Sequence, residues 1–388
     1  MAGTHPDDLI LVVNAGSSSI KIALFDGTLS ERLSGAVEAI GGDAVLKIGD
    51  MKQATALPDH GAALSAILDA LKARGISPHN LRAVAHRVVH GGTVLTRPVR
   101  VTPETRAEIA RCIPLAPLHN PHNLAAIDTL SALVPDLPQC ASFDTAFHAT
   151  APEVAQRYAL PAIAETESLR RYGFHGQSYA AMVSGWEDVT GTPLPARLLA
   201  LHLGNGASIC AIRNGHSVAT TMGYSPLDGL TMGTRCGAID GNAVLALADR
   251  VGIEAARKVL NNESGLKGLS GGLTDMRALL ADEAEDSQFA VDHFCYWAQR
   301  HAGSLMAAMG GLDAIAFTGG IGENATEIRA RIIAGLEWAG AQIAPEANAA
   351  GQTRLHPEGA ACGVWIIKAE EERMLAADAL RVLDADRA

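Results

Sequence analysis

Residues 9–13 (L-I-L-V-V) form an uninterrupted apolar run that breaks at Asn14-Ala15-Gly16-Ser17-Ser18-Ser19, and residues 20–25 resume a strand-like pattern before Asp26-Gly27. Apolar runs of this length bounded by turn residues predict a strand, a polar turn and a second strand. The design returns at residues 198–203, turns through Gly204-Asn205-Gly206-Ala207-Ser208, and continues over 209–212 before Asn214-Gly215. Setting Gly16 against Gly204 gives an offset of 204 − 16 = 188 residues, and Gly27 then falls on Gly215. Two copies at so long a period exclude a solenoid and predict a duplicated domain with a cleft between the copies.

Elsewhere the hydrophobic period lengthens. Residues 62–74 predict an amphipathic helix, 83–89 a buried strand, and 103–111 a helix opened by Pro103. Further helices are predicted at 241–251, 286–309 and 325–335, with a short buried strand at 314–317, and the prolines between Pro114 and Pro121 are assigned to a loop. The sum is a mixed α/β protein without a long flexible linker.

Composition narrows the class. A length of 388 residues fits two domains, each of roughly 150 to 200 residues. With 48% hydrophobic and 19% charged residues, the chain can bury sizeable cores. Its net charge of −11, without a basic stripe, argues against nucleic acid. Any anion must then be held by local Arg, Lys, helix N-termini or metal. Six scattered cysteines without a C-x-x-C pair read as reduced, mostly buried thiols. No secretory pattern and no apolar run near the ~20 residues of a membrane span are present, so a cytoplasmic protein is expected.

Several segments combine glycine with groups that do chemistry. The turn ending at Lys21 offers backbone amides that could cradle phosphate, or it is an ordinary hairpin turn. His86-Arg87-Val88-Val89-His90-Gly91-Gly92 ends an apolar strand with an arginine able to fork onto a carboxylate, whether a substrate's or a resident Asp or Glu. Phe143-Asp144-Thr145-Ala146-Phe147-His148 and Arg171-Tyr172-Gly173-Phe174-His175-Gly176 place ionisable groups among aromatics. The glycine-rich stretch 221–240 holds one cation, Arg235, suited to offset charge on a transferred phosphoryl group. Gly320, Gly322 and Ala325 satisfy G-x-G-x-x-A, the basis of a rival reading as a nicotinamide dehydrogenase, although no βαβ unit with an acidic ribose ligand is evident after it. A Walker loop is absent.

Taken in order, N-A-G-S-S-S-I-K, H-R-V-V-H-G-G, P-L-A-P-L-H-N-P, F-D-T-A-F-H, Y-G-F-H-G, H-L-G-N-G, M-G-T-R, G-G-I-G-E-N and the late E-E resemble the acetate kinase family over residues 9–374. The resemblance implies two duplicated actin- and hexokinase-like (ribonuclease H-like) ATPase domains with an interdomain cleft, residues 1–144 plus 371–388 and residues 145–370. It implies a homodimer that transfers the γ-phosphoryl group of ATP to acetate or propionate, with magnesium, or manganese in its place, and ADP as product. Metal would lie near Asn14 and Glu371. Nucleotide would lie near Lys21, His202, Leu203, Gly204, Asn205 and Gly206, and near Asp275, Met276, Arg277, Gly320, Ile321, Gly322, Glu323 and Asn324. Arg87 and Arg235 would grip carboxylate and phosphoryl, with His175 donating and Asp144 as the residue the family treats as catalytic. Val89, Leu118, Phe174 and Pro226 would line the alkyl pocket. A carboxylate acceptor is already ionised at neutral pH and needs no base, so Asp144 is expected to order metal and water. Removal of Arg87 or Arg235 is expected to cut turnover by orders of magnitude and leave the fold intact. The chain departs from the family at Cys236, Ala238 and Gly241, where Gly241 in place of proline should loosen the next helix start. A non-catalytic nucleotide-binding relative is the third reading, disfavoured because every charged site residue is retained.

Overall fold

The computed structural model describes residues 9–386, which divide into two compact units. One unit runs to Phe147 and resumes at Glu370, and the other is His148–Ala369. In the first, β1 (Leu9–Ala15), β2 (Ile20–Phe25), β3 (Glu31–Glu38), β4 (Val45–Ile48), β5 (Met51–Ala54), β6 (Leu81–Val88), β7 (Val99–Arg100) and β8 (Gln139–Phe143) make one sheet in the order β5-β4-β3-β2-β1-β6-β8-β7. Strands β1, β6 and β8 are parallel, and β1 to β5 form an antiparallel meander. The helices are α1 (His60–Lys72), α2 (Pro103–Arg111), α3 (Asn120–Leu133) and the C-terminal helix Glu371–Ala385.

The unbroken apolar run of β1 follows from burial on both faces. Leu11 and Val13 pack with Leu64 and Ile67 of α1 and Leu130 of α3, while Ile10 and Val12 meet Leu375, Ala379 and Leu383 of the C-terminal helix. Each such side chain contributes roughly 1.5–3 kcal/mol of transfer free energy.

The second unit repeats the plan. Strands β9 (Arg197–Leu203), β10 (Ala207–Arg213), β11 (His216–Thr220), β12 (Ala314–Thr318) and β13 (Gly363–Ile366) are ordered β11-β10-β9-β12-β13, matching β3-β2-β1-β6-β8. Its first strand begins at 9 + 188 = 197 and ends at 15 + 188 = 203, the offset read from the glycine turns.

Helices 103–111 and 241–251 form over the expected residues because each has a strong cap: the Thr102 hydroxyl accepts the Thr105 amide, and Asp240 accepts those of Asn242 and Ala243. Three expectations are corrected. Pro121 lies in the first turn of α3, where its missing N–H costs nothing, and not in a loop. The segment Gly319–Asn324 is itself a short helix. Strands β12 and β13 are parallel and joined through helices, so a βαβ unit does follow the glycine motif. All six cysteines are free thiols, five of them buried and Cys236 half-buried. Among the described residues no helix is long and apolar enough to cross a membrane.

Candidate active site

In open α/β sheets ligands gather at the carboxyl ends of parallel strands. In the first unit those ends are Asn14 on β1, Arg87 on β6 and Asp144 just after β8, with Val13 opposite His86 and Arg87 opposite Ser142 fixing the register. The Arg87 guanidinium forks onto Asp144: Nε donates to Oδ1 at 2.9 Å and Nη2 to Oδ2 at 2.6 Å, while Nη1 reaches Asn14 Oδ1 at 3.4 Å. The Asp144 side chain is 3% exposed. Burial works against the Arg87 charge, and the adjoining Asp144 outweighs it, holding the guanidinium above its ordinary pKa. The C-terminal helix brings its first residues to the same place. Burial pushes the Glu371 carboxyl up to about 7, with Arg87 drawing it down and Asp144 and Glu372 raising it. Lys21 is paired with Asn14 across the β1–β2 ladder.

The two histidines flanking Arg87 serve the core. His86 Nε2 meets Gln139 Oε1 at 2.6 Å, and His90 Nδ1 accepts the Gly92 amide at 2.9 Å; burial lowers both to about 4, so they are neutral.

In the second unit His175 sits at φ 59, a left-handed conformation uncommon outside glycine, at the start of helix Gly176–Thr190. Such strain persists where surrounding contacts over-determine it. Here Ser208 Oγ lies between His175 Nδ1 at 2.9 Å and the Tyr179 hydroxyl at 2.5 Å, and the ring stacks on His202 at 4.1 Å. His202 is tied in turn to Ser178 Oγ at 2.9 Å. A Cβ on Gly206 would fall 2.7 Å from Arg235 Nη2 and 3.3 Å from His175 Nε2, so both side chains close on the β9–β10 turn. Arg235 Nη1 donates to the Pro226 carbonyl at 2.6 Å, and burial lowers its pKa. Among the described residues no carboxylate pairs with it. His148, from the other aromatic segment, is structural: its ring nitrogens meet Ser217 Oγ and the Phe174 carbonyl, each at 2.9 Å.

The remaining candidates separate by exposure. Leu203 and Met276 are buried at 0% and 4%, so only their backbones are available to a nucleotide. Gly204 and Asn205 form the turn with Gly206, and a Cβ on Gly204 would lie 3.8 Å from the Gly320 amide, which draws the 204–206 and 319–324 segments together. Asp275 and Arg277 are exposed and pair with each other at 2.6 Å. Glu323 is a brace: Oε1 accepts the Gly319 and Ala369 amides at 3.0 and 2.9 Å. Asn324 Nδ2 donates to the Gly320 carbonyl at 2.9 Å, and Ile321 is half-buried. Val89 and Phe174 are buried, whereas Leu118 is 55% exposed. In the altered loop, Gly237 at φ 73 is held where a Cβ would strike the Leu230 carbonyl, Ala238 is exposed, and the Asp240 cap offsets the loss of proline at Gly241. Sequence reasoning missed Ser208 and Tyr179, which orient His175 from a strand and a helix with no local signal.

Each copy of the sheet thus ends in a glycine turn with a desolvated arginine in the same unit, an arrangement suited to handling phosphate and carboxylate, and the molecule is a phosphotransferase with a carboxyl acceptor. The model of the Acetokinase family matches residues 9–377. An acetate kinase of Rhodopseudomonas palustris is 42% identical over 397 residues, covering 98% of this chain and 100% of the relative, and one from Streptomyces avermitilis is 43% identical over 95% of each. Among solved structures, Porphyromonas gingivalis acetate kinase superposes with a TM-score of 0.90 at 34% identity over 97% of this chain and 100% of that one. A propionate kinase from Francisella tularensis gives 0.90 at 34% identity over 96% and 98%. The chain belongs to the acetokinase family, and the dehydrogenase reading of its glycine motif is set aside.

Proposed function

We propose that this protein is an acetate kinase, moving the γ-phosphoryl group of ATP to acetate to give acetyl phosphate and ADP, with propionate as a second substrate. The observation that carries the reading is Arg235, a desolvated cation beside a glycine turn with no resident carboxylate. An acetate oxygen attacks the γ-phosphorus, the bond to the β,γ-bridging oxygen breaks, and ADP departs with that electron pair; no proton moves. Positioning and charge neutralisation then supply the rate. Arg87 would steady the acceptor carboxylate, Arg235 the transferred phosphoryl, and His175 would donate to a phosphoryl oxygen. Lys21 and the turns at 202–206, 275–277 and 320–324 would hold the nucleotide.

Asn14, Asp144 and Glu371 offer hard oxygen donors, and the Glu371 carboxyl, raised chiefly by burial and further by Asp144 and Glu372, is a group whose charged form a bound cation would favour. Among the described residues no three His, Cys, Asp or Glu side chains cluster as a complete metal site. The set therefore fits magnesium, or manganese, which keeps several ligands from water and phosphate. Bound there, the ion would offset phosphate charge. On this reading the two units are two ATPase domains of a cytoplasmic homodimer. Helix Gly241–Val251 supports the dimer: it buries no residue in the single chain and leaves Leu245 63% exposed, with Ile253 at 69% just beyond. The test is hydroxamate trapping of acyl phosphate with ATP and magnesium, comparing formate, acetate, propionate and butyrate. One methylene is worth about 1–3 kcal/mol, so acetate and propionate should both react and differ in rate. No product with any acid would overturn the reading.

A further inference from the structure

The turn that follows β1 is held by side chains from two distant helices. His60, the first residue of α1, donates from Nε2 to the Gly16 carbonyl at 2.7 Å. Asn123 of α3, 2% exposed, donates from Nδ2 to the Ala15 carbonyl at 2.8 Å and accepts the Val89 amide at 3.1 Å, so one side chain ties the end of β1 to the end of the Arg87 strand. The Ile40 amide binds the Ser18 carbonyl at 3.0 Å, and the Gly16 amide binds that of Ser19 at 2.8 Å. Four carbonyls of the 15–19 segment are thereby committed to the protein.

A trans peptide sets its N–H opposite its C=O. Fixing the Gly16 carbonyl on His60 therefore aims the Ser17 amide away from α1, and fixing the Ser18 carbonyl on the Ile40 amide aims the Ser19 amide away from Ile40. Among the described residues, the amides of Ser17, Ser18 and Ser19 donate to no protein acceptor. Ser17 and Ser18 are exposed and Ser19 is half-buried. Consecutive amides presented in this way form a concavity for anions. The His60 ring is itself fixed by stacking on His122, centroids 5.1 Å apart and planes 23° from parallel.

We propose that His60, steadied by His122, is a positioning residue that with Asn123 holds the 16–19 turn in its phosphate-binding orientation. This deepens the kinase reading and rests on it. His60 touches no reacting atom; it acts by denying the 16–17 peptide the freedom to rotate.

The test compares wild type with His60→Ala, His60→Gln and Asn123→Asp. The glutamine can still donate to Gly16, and the aspartate keeps the acceptor for Val89 while losing the donor to Ala15. Kinetics with ATP and acetate varied separately, and MgADP binding by calorimetry, are the readouts. His60→Ala should weaken MgADP binding and kcat/KM for ATP by roughly 10- to 100-fold, with KM for acetate unchanged, and His60→Gln should recover most of the loss. Asn123→Asp should act in the same direction, with a lowered melting temperature because it buries a carboxyl against the Ala15 carbonyl, so its kinetics are read well below that melting temperature. Equal losses toward both substrates without rescue by glutamine, or wild-type values throughout, would overturn the proposal. A wild type that binds MgADP and loses it on His60→Ala, yet makes no acyl phosphate, would sink the kinase reading and leave the clamp standing.

Discussion

Arg87 in the first unit and Arg235 in the second are both desolvated arginines in units of the same topology, yet their charges are met in opposite ways. Arg87 is forked onto a buried carboxylate; Arg235 is bonded to the Pro226 carbonyl and, among the described residues, has no acid partner. Burying a charge is costly unless it is paired. Arg87 is therefore part of the fold as well as of the candidate site, whereas Arg235 is a charge without a carboxylate among the described residues, which on the proposed reading a phosphoryl group would meet.

The largest effects should come from breaking this contrast. Arg235→Ala and Arg87→Ala should each lower kcat by about 10²–10³-fold or more, the range for removing a group that neutralises transition-state charge. In stability they should part. Arg235→Ala removes an unpaired desolvated cation and should leave the urea midpoint unchanged or higher. Arg87→Ala leaves Asp144 buried and alone, which costs on the order of 3–5 kcal/mol. The expectation from sequence that both substitutions spare the fold is thus revised for Arg87. In a double-mutant cycle, Asp144→Ala in the Arg87→Ala background should restore much of that loss. Equal midpoints for the two single variants would remove the distinction.

The two turns offer a smaller test. At Gly206 an added Cβ meets Arg235 and His175, while at Gly16 its nearest neighbour is Ser19 Oγ at 3.3 Å. Gly206→Ala should displace both side chains and cut kcat/KM by roughly 10- to 100-fold, with little loss of stability. Gly16→Ala should remain within about threefold of wild type, since its one tight contact is with a serine hydroxyl that can give by a few tenths of an ångström. Reversed sensitivities would mean that the first turn, and not the second, is the tighter.

The reach of the sequence follows from where each signal resides. The 188-residue repeat was legible because both faces of β1 and β9 are buried, so their apolar runs stand out against the glycine turns. Helices with local caps at Thr102 and Asp240 were legible at both ends. Strand β3 was not, because six of its eight residues other than Gly35 and Val37 are charged, small or half-exposed and carry no clear alternation. Helix α3 was hidden by buried polar residues, Asn120 and Asn123, whose side chains face backbone across the core. At the site, Arg87 announced a carboxylate partner, but which one depends on a pairing across 57 residues. The motifs named most of the candidate residues; their partners His60, Ser208 and Tyr179 belong to tertiary contacts that no local pattern encodes.

Asp378 gives the smallest effect and the most direct measure of what a half-paired charge costs. Its side chain is 4% exposed on the C-terminal helix, accepts from Ser142 Oγ at 2.8 Å, and pairs at 2.6 Å with Arg381, whose own side chain is 63% exposed. Burial raises its pKa to about 6, with the Ser142 bond and Arg381 pulling it down only in part. A carboxyl raised above its ordinary 3.8 in the folded state favours folding while protonated, and that contribution is lost as pH climbs from about 4 through about 6. Asp378→Asn stays neutral throughout and can still meet Ser142. It should be more stable than wild type at pH 8 by about 1–3 kcal/mol, and the gain should shrink toward zero at pH 4.5, both read from urea midpoints. Asp144, equally buried but doubly bonded to Arg87, is the paired counterpart, and Asp144→Asn should lose stability by giving up half of that charge-assisted fork. If Asp378→Asn also destabilised at pH 8, Arg381 would be a full partner despite its exposure, and pairing by a solvated arginine would suffice to hold a buried carboxylate in this fold.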